Sequence, residues 1–215
     1  MLDKWQQMNW QPTVAQQEKF QRLYELILAG NRQLNLTRIT EPLEFWEKHL
    51  WDSLRPITPL LSAQDTPVTV IDIGTGAGFP GIPVAIALPN SHVTLLDSTR
   101  KKITFLDHAL TALNIQNATT LVGRAESINK LPQHQSYDVA LIRAVGSPLL
   151  CAEYTLPFLK SGGFAILYRG QWTTEETEAL QIKVKQLSGV VEKIEKFVTP
   201  LSHSIRHCVY LRKNL

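Results

Sequence analysis

VTVIDIGTGAGFPGIP, Val68 to Pro83, joins a buried-type strand to four glycines within eight residues and then to a helical pattern. Val68, Val70, Ile71 and Ile73 form the strand, and Gly74, Gly76, Gly78 and Gly81 form the turn. Ile82, Ala85, Ile86 and Leu88 then recur at helical spacing. Glycine is needed where φ turns positive or where a ligand approaches the main chain. Fourteen residues after Pro83, the strand in HVTLLDS ends on Asp97. That acid lies 23 positions after Gly74, near the spacing of a carboxylate that receives a ribose diol. These are the parts of a nucleoside-cofactor site.

The chain keeps alternating on both sides of this motif. Strands are expected over 68–74, 92–97, 119–122, 138–143 and 163–168, with helices over 79–88, 99–113, 148–159 and 173–187. Strands separated by helices of that length imply right-handed crossovers and a parallel sheet. Two last strands, near 190–197 and 206–212, are separated only by a short TPLSHS link, so they must pair antiparallel. The fold class expected is α/β, and a mostly parallel sheet with the last strand antiparallel resembles the Rossmann-like class I methyltransferase sheet. Before it, residues 13–30 form an amphipathic helix stopped by Gly30, and a second helix runs from Leu43 to Leu54. This divides the chain into a small N-terminal helical cap, 1–62, and a cofactor-binding domain, 63–215, with SAQDTP as the link.

Composition narrows the partners. No window approaches the ~18 uninterrupted apolar residues of a membrane span, and the polar N-terminus lacks a signal-type apolar region. A cytoplasmic location without membrane contact is expected, with a monomer as the default state. Cys151 and Cys208 have no metal-ligand or redox spacing, so no metal is expected. Residues 169–215 carry eight basic and five acidic side chains, which accounts for the whole net charge of +3. That bias suits a phosphate-rich partner or an ordinary solvated surface equally well.

The register of the glycines separates cofactors. Gly76, Gly78 and Gly81 satisfy G-x-G-x-x-G, but the strand ends at Ile73, so Asp72 and Gly74 open the turn as D-x-G-x-G. This resembles the first motif of S-adenosylmethionine-dependent methyltransferases rather than a dinucleotide or ATP loop. Ligands of such sheets bind beyond the carboxyl ends of the strands. That rule places Ala125 and Glu126, after the third strand, and Arg143, ending the fourth, around the cofactor. Asp97 has a second reading as a helix-start acid. Arg143 has one as the partner of Glu126 or Glu153.

Nearly the whole chain resembles the ribosomal RNA small subunit methyltransferase G family, also called glucose-inhibited division protein B. The resemblance is carried by LNLTRIT (Leu34–Thr40), HLWDSL (His49–Leu54), DIGTGAGFPGIPVAI (Asp72–Ile86), LLDSTRKKITFL (Leu95–Leu106), RAES (Arg124–Ser127), IRAVGS (Ile142–Ser147), YRGQ (Tyr168–Gln171) and RHCVYLRK (Arg206–Lys213). It implies methyl transfer from S-adenosyl-L-methionine to N7 of a guanine in 16S ribosomal RNA, on RNA or the small ribosomal subunit. It also implies cofactor contacts at Gly74, Phe79, Ala125, Glu126 and Arg143, to which fold logic adds Gly76 and Asp97. Arg169 stands where many relatives carry lysine.

Guanine N7 attacks through an in-plane lone pair and loses no proton, so no general base is required and no catalytic residue is certain. Arg143 is the candidate for substrate positioning. RNA contacts are expected from Arg38, His49, Arg100, Lys101, Lys102, Arg143 and Arg169. Trp5, Trp10, Trp46 and Trp51 could stack on bases, though Trp46 and Trp51 at helical spacing suit a core better. Three other readings stay open: a methyltransferase of this fold with another RNA or a small molecule as substrate, a nicotinamide-dependent oxidoreductase, and a non-catalytic RNA-binding assembly factor.

Overall fold

A computed structural model describes residues 5, 8–63, 66–128 and 135–215. The link residues 64–65 and N-terminal residues 1–4, 6 and 7 lie outside the described residues. Helix α1 is Val14–Leu34, followed by the short helices α2 (Pro42–Phe45), α3 (Asp52–Leu54) and α4 (Thr58–Ser62). Strands β1 (Thr69–Ile73), β2 (His92–Asp97), β3 (Ala118–Val122), β4 (Tyr137–Arg143) and β5 (Leu159–Arg169) then alternate with helices. The helices are α5 (Gly81–Ala87), α6 (Arg100–Ala112), α7 (Ala125–Ile128), α8 (Pro148–Thr155) and α9 (Thr174–Gln186). Strands β6 (Gly189–Val198) and β7 (Ile205–Lys213) close the chain.

The seven strands form one sheet in the order β3-β2-β1-β4-β5-β7-β6. β1 to β5 pair in parallel, and β7 lies antiparallel between β5 and β6. The expected mostly parallel sheet with an antiparallel finish is the one observed. β1 and β4 sit mid-sheet, buried on both faces, which their continuous apolar runs require. The order reverses between β1 and β4, and it is at such switch points, beyond the carboxyl ends of the strands, that sheets of this kind bind ligands.

Helix α1 starts at a reciprocal capping box between Thr13 and Gln16 and buries Phe20, Leu23 and Ile27. It does not stop at Gly30, as its sequence suggested, but runs on to Leu34. Gly30 is there for packing. A Cβ on it would stand 2.5 Å from the Phe105 ring of α6. The helix expected over 43–54 is also not uniform. Between α2 and α3, Trp46–Trp51 widens into π geometry, with the Asp52 N–H donating to the Glu47 carbonyl. Such widened turns recur at functional sites.

Trp5, Trp10, Trp46 and Trp51 are all buried, so they build core rather than stack on bases. One apolar cluster takes in these tryptophans with Phe45 and Leu54 of the cap and Phe79, Ile82 and Leu106 of the sheet domain. Each such side chain contributes about 1.5–3 kcal/mol on full burial. No helix among the described residues is long and apolar enough to cross a membrane.

Candidate functional site

The glycine turn is tied down on its protein side. The N–H groups of Gly74 and Thr75 both donate to the Leu96 carbonyl of β2, at 2.8 and 3.0 Å. Asp72, fully buried at the end of β1, accepts through Oδ2 from Thr75 Oγ1 (2.6 Å) and the Gly81 N–H (2.7 Å). Its Oδ1 is sealed from solvent without a hydrogen-bond partner among the described residues. Burial raises the Asp72 carboxyl to about 6, against the opposing pull of those two donors.

Gly76 faces the other way. Its φ is +61°, and a Cβ there would find nothing nearer than the Gly74 carbonyl at 3.9 Å. The backbone thus presents an open cradle tied through its N–H to the carboxylate of Asp97. An open main-chain turn fits S-adenosyl-L-methionine, which needs main-chain contact along its amino-acid portion. Among the described residues no cluster of side chains could hold a metal ion.

Asp97 ends β2 beside this cradle. Its Oδ2 accepts from the Gly76 N–H (3.0 Å) and its Oδ1 from the Thr99 N–H (2.8 Å) before α6. The acid therefore fixes both the glycine turn and a helix start, and each oxygen keeps a second lone pair for a diol. Ala125 and Glu126 open α7 after β3. Ala125 is buried, and the Glu126 side chain is about half exposed, 4.0 Å from Arg124. The structure brings Gly74, Gly76, Asp97 and Ala125 to the carboxyl ends of three adjacent strands.

Arg143, ending β4, points towards the cap instead of to Glu126 or Glu153. Its Nη1 donates to the Lys48 carbonyl (2.9 Å) and lies 3.6 Å from Asp52 Oδ2. Its guanidinium stands 5.7 Å over the Phe79 ring, and Nη2 reaches His49 Nδ1 at 3.4 Å. Because arginine only donates, His49 Nδ1 is the acceptor and Nε2 carries the hydrogen. That Nε2–H meets Thr37 Oγ1 at 2.9 Å, which links the LNLTRIT and HLWDSL landmarks through one bond. Burial above all, then the charges of Arg143 and Lys48, lowers the His49 imidazole to about 3. His49 is therefore a neutral interior group and not the surface RNA contact expected of it. Its spacing within an apolar helix was the signal for this.

The remaining cations divide. Arg38, Arg100 and Lys101 are exposed, and Lys102 lies 4.0 Å from Asp97. Arg169, ending β5, donates to the Gly146 carbonyl (2.9 Å) and lies 3.7 Å from Glu176. Arg206, on β7, lies 3.8 Å from Asp52 Oδ1. Asp52 and Arg206 had no assigned role in the sequence, although both lie inside the landmarks HLWDSL and RHCVYLRK. The pairing of β5 with β7 sets Arg169 against His207, which brings Arg206 to the same end of the sheet.

The family model described as rRNA small subunit methyltransferase G matches residues 16–208. The chain is 70% identical to the ribosomal RNA small subunit methyltransferase G of Nostoc punctiforme, over 99% of this chain and 89% of that protein. It is 64% identical to the protein so named in Trichormus variabilis, with the same two coverages. In three dimensions it resembles M. jannaschii TYW2 in complex with AdoMet, with a TM-score of 0.60 at 13% identity over 76% of this chain and 77% of that one. At that identity the likeness speaks for the fold alone.

Proposed function

The chain belongs to the rRNA small subunit methyltransferase G family, and from that premise we propose that it transfers a methyl group from S-adenosyl-L-methionine to N7 of a guanine in 16S ribosomal RNA. The observation that carries this reading is the open main-chain cradle at Gly76, whose N–H is tied to Asp97 at the carboxyl ends of the adjacent strands β1 and β2. When bound, the cofactor supplies an electrophilic methyl carbon on a sulfonium.

The protein's task is placement. The Gly74–Gly78 turn, braced from beneath by the Asp72 bonds to Thr75 and Gly81, holds the amino-acid end, Asp97 the ribose, and Ala125 with Glu126 the adenine. Phe79 and Arg143 border the reacting end. Guanine N7 attacks through its lone pair and releases no proton, so no side chain need act as a base. Holding two reactants in line is worth effective molarities of about 10⁵ M or more. Exposed Arg38, Arg100 and Lys101, with Arg169, meet RNA phosphates. The substrate is small-subunit RNA in the cytoplasm, and the enzyme acts as a monomer. Calorimetry with S-adenosylhomocysteine tests the cofactor half of this reading: saturable one-to-one binding supports it, and no heat of binding refutes it.

A further inference from the structure

Asp52 is only 9% exposed, and its carboxylate is held by two long ion pairs, one to each oxygen. Its nearest cations stand back, Arg143 Nη1 at 3.6 Å and Arg206 Nε at 3.8 Å. At those distances both carboxylate oxygens keep room for shorter donors. Asp52 lines a cavity of about 260 Å³ together with Arg143, Tyr168, Arg169, Arg206 and His207. This cavity lies beyond the carboxyl ends of β4 and β5, and β4 is next to the strand that carries the glycine turn.

The donor balance of the lining selects the occupant. The three arginines offer only donors, and Asp52 is the one carboxylate among these lining residues. A phosphate would suit the arginines but would be repelled by Asp52. Guanine satisfies both kinds of group. Its N1–H and N2–H are adjacent donors on one edge, matched to two carboxylate oxygens, and its O6 is an acceptor for a guanidinium. Adenine, cytosine and uracil present no such adjacent pair of donors. N7 lies on the opposite edge of the ring.

We propose that Asp52 is the residue that selects guanine, accepting N1–H and N2–H of the target base lodged in this cavity, with N7 turned towards the Gly74–Gly78 turn. Unstacked RNA bases are commonly read on this edge. The inference rests on the methyl-transfer reading and gives it a specificity determinant.

The test compares small subunits reconstituted with guanosine, inosine or 1-methylguanosine at the target position, using labelled S-adenosylmethionine. Inosine lacks the N2 amino group and 1-methylguanosine lacks N1–H, while both keep N7. Wild-type kcat/KM is expected to fall about ten-fold or more on each analogue. Asp52→Asn is expected to bind S-adenosylhomocysteine as wild type does, to methylate guanosine more slowly, and to bring the guanosine-to-inosine ratio towards one. Equal wild-type rates on either analogue and guanosine overturn the proposal, as does an Asn variant that keeps the wild-type ratio. If Asp52→Asn does not fold, the wild-type comparison still decides, and Asp52→Glu is expected to keep the preference at a lower rate. No transfer to guanosine itself by the wild type overturns the methyl-transfer reading, and this proposal with it.

Discussion

The imidazole of His49 lies flat on the ring of Phe79, with centroids 4.2 Å apart and planes 9° apart. One ring comes from the π-widened cap helix and the other directly follows the glycine turn, so the stack joins the two parts of the chain. Thr37 holds the far side of the imidazole and Arg143 its near nitrogen. The geometry of the cofactor turn therefore depends on residues some thirty positions upstream of it.

Phe79 is 4% exposed and also meets Phe45 edge to face, so Phe79→Ala leaves a cavity in the join. The expected cost is about 3 kcal/mol, a fall in Tm of about 8 °C. Thermal unfolding with and without S-adenosylhomocysteine checks this, and the ligand-induced rise in Tm should shrink in the variant.

Gly76 and Gly81 belong to one turn but should fail differently. Gly76→Ala meets no atom and carries only the strain of a positive φ, about 1 kcal/mol. Its methyl group fills the cradle, so affinity for S-adenosylhomocysteine should drop about ten-fold or more, the equivalent of about 1.4 kcal/mol. A Cβ on Gly81 would stand 2.2 Å from Leu95 Cδ2 and 2.8 Å from Asp72 Oδ2. Gly81→Ala should therefore lose about 3 kcal/mol of stability first. Calorimetric binding and thermal melts on both variants separate the two effects.

His49 makes stability depend on acid. In the folded chain its imidazole resists protonation down to about 3, whereas unfolded it takes a proton near 6.5. Between those values the unfolded state binds more protons, so this group's contribution to stability falls as pH drops through the window. Asp72 works in the opposite sense. Raised to about 6, its carboxyl binds a proton in the folded chain more readily than in the unfolded one, and stabilisation from it is lost as pH rises towards 6. His49→Gln should accordingly flatten the acid-side loss by about 3 kcal/mol or more between pH 6.5 and 3. Urea unfolding at a series of pH values measures the slope.

Arg100 and Lys101 are exposed at the first turn of α6, beyond β2. If both meet phosphates, the double alanine variant should lower the salt dependence of RNA binding by about two in the log–log slope. Tm and S-adenosylhomocysteine affinity should stay as in the wild type. An unchanged slope assigns these residues to ordinary solvated surface.

Much of the fold was legible because it is written in local chemistry. Apolar runs gave β1, β2 and β4 to within a residue or two, and the short link after β6 implied its antiparallel pairing. Gly30 misled because a glycine in a close helix packing looks, in one dimension, like a helix stop. The π turn at Trp46–Trp51 was invisible, since one extra residue per turn does not disturb the apolar spacing over so short a segment. The meeting of Gly76 and Asp97 at the ends of adjacent strands followed from their spacing. The pairing of Asp52 with Arg206 did not, because it depends on a cap helix meeting a strand about 150 residues later.

Methyl transfer to one guanine of the small-subunit RNA is tested most directly on subunits that have never received it. Small subunits from cells lacking this gene, incubated with the purified protein and labelled S-adenosylmethionine, are digested and the labelled nucleoside is identified and mapped. 7-Methylguanosine is expected at one 16S position, absent before incubation. Label in another nucleoside, label spread over many positions, or none at all would contradict it.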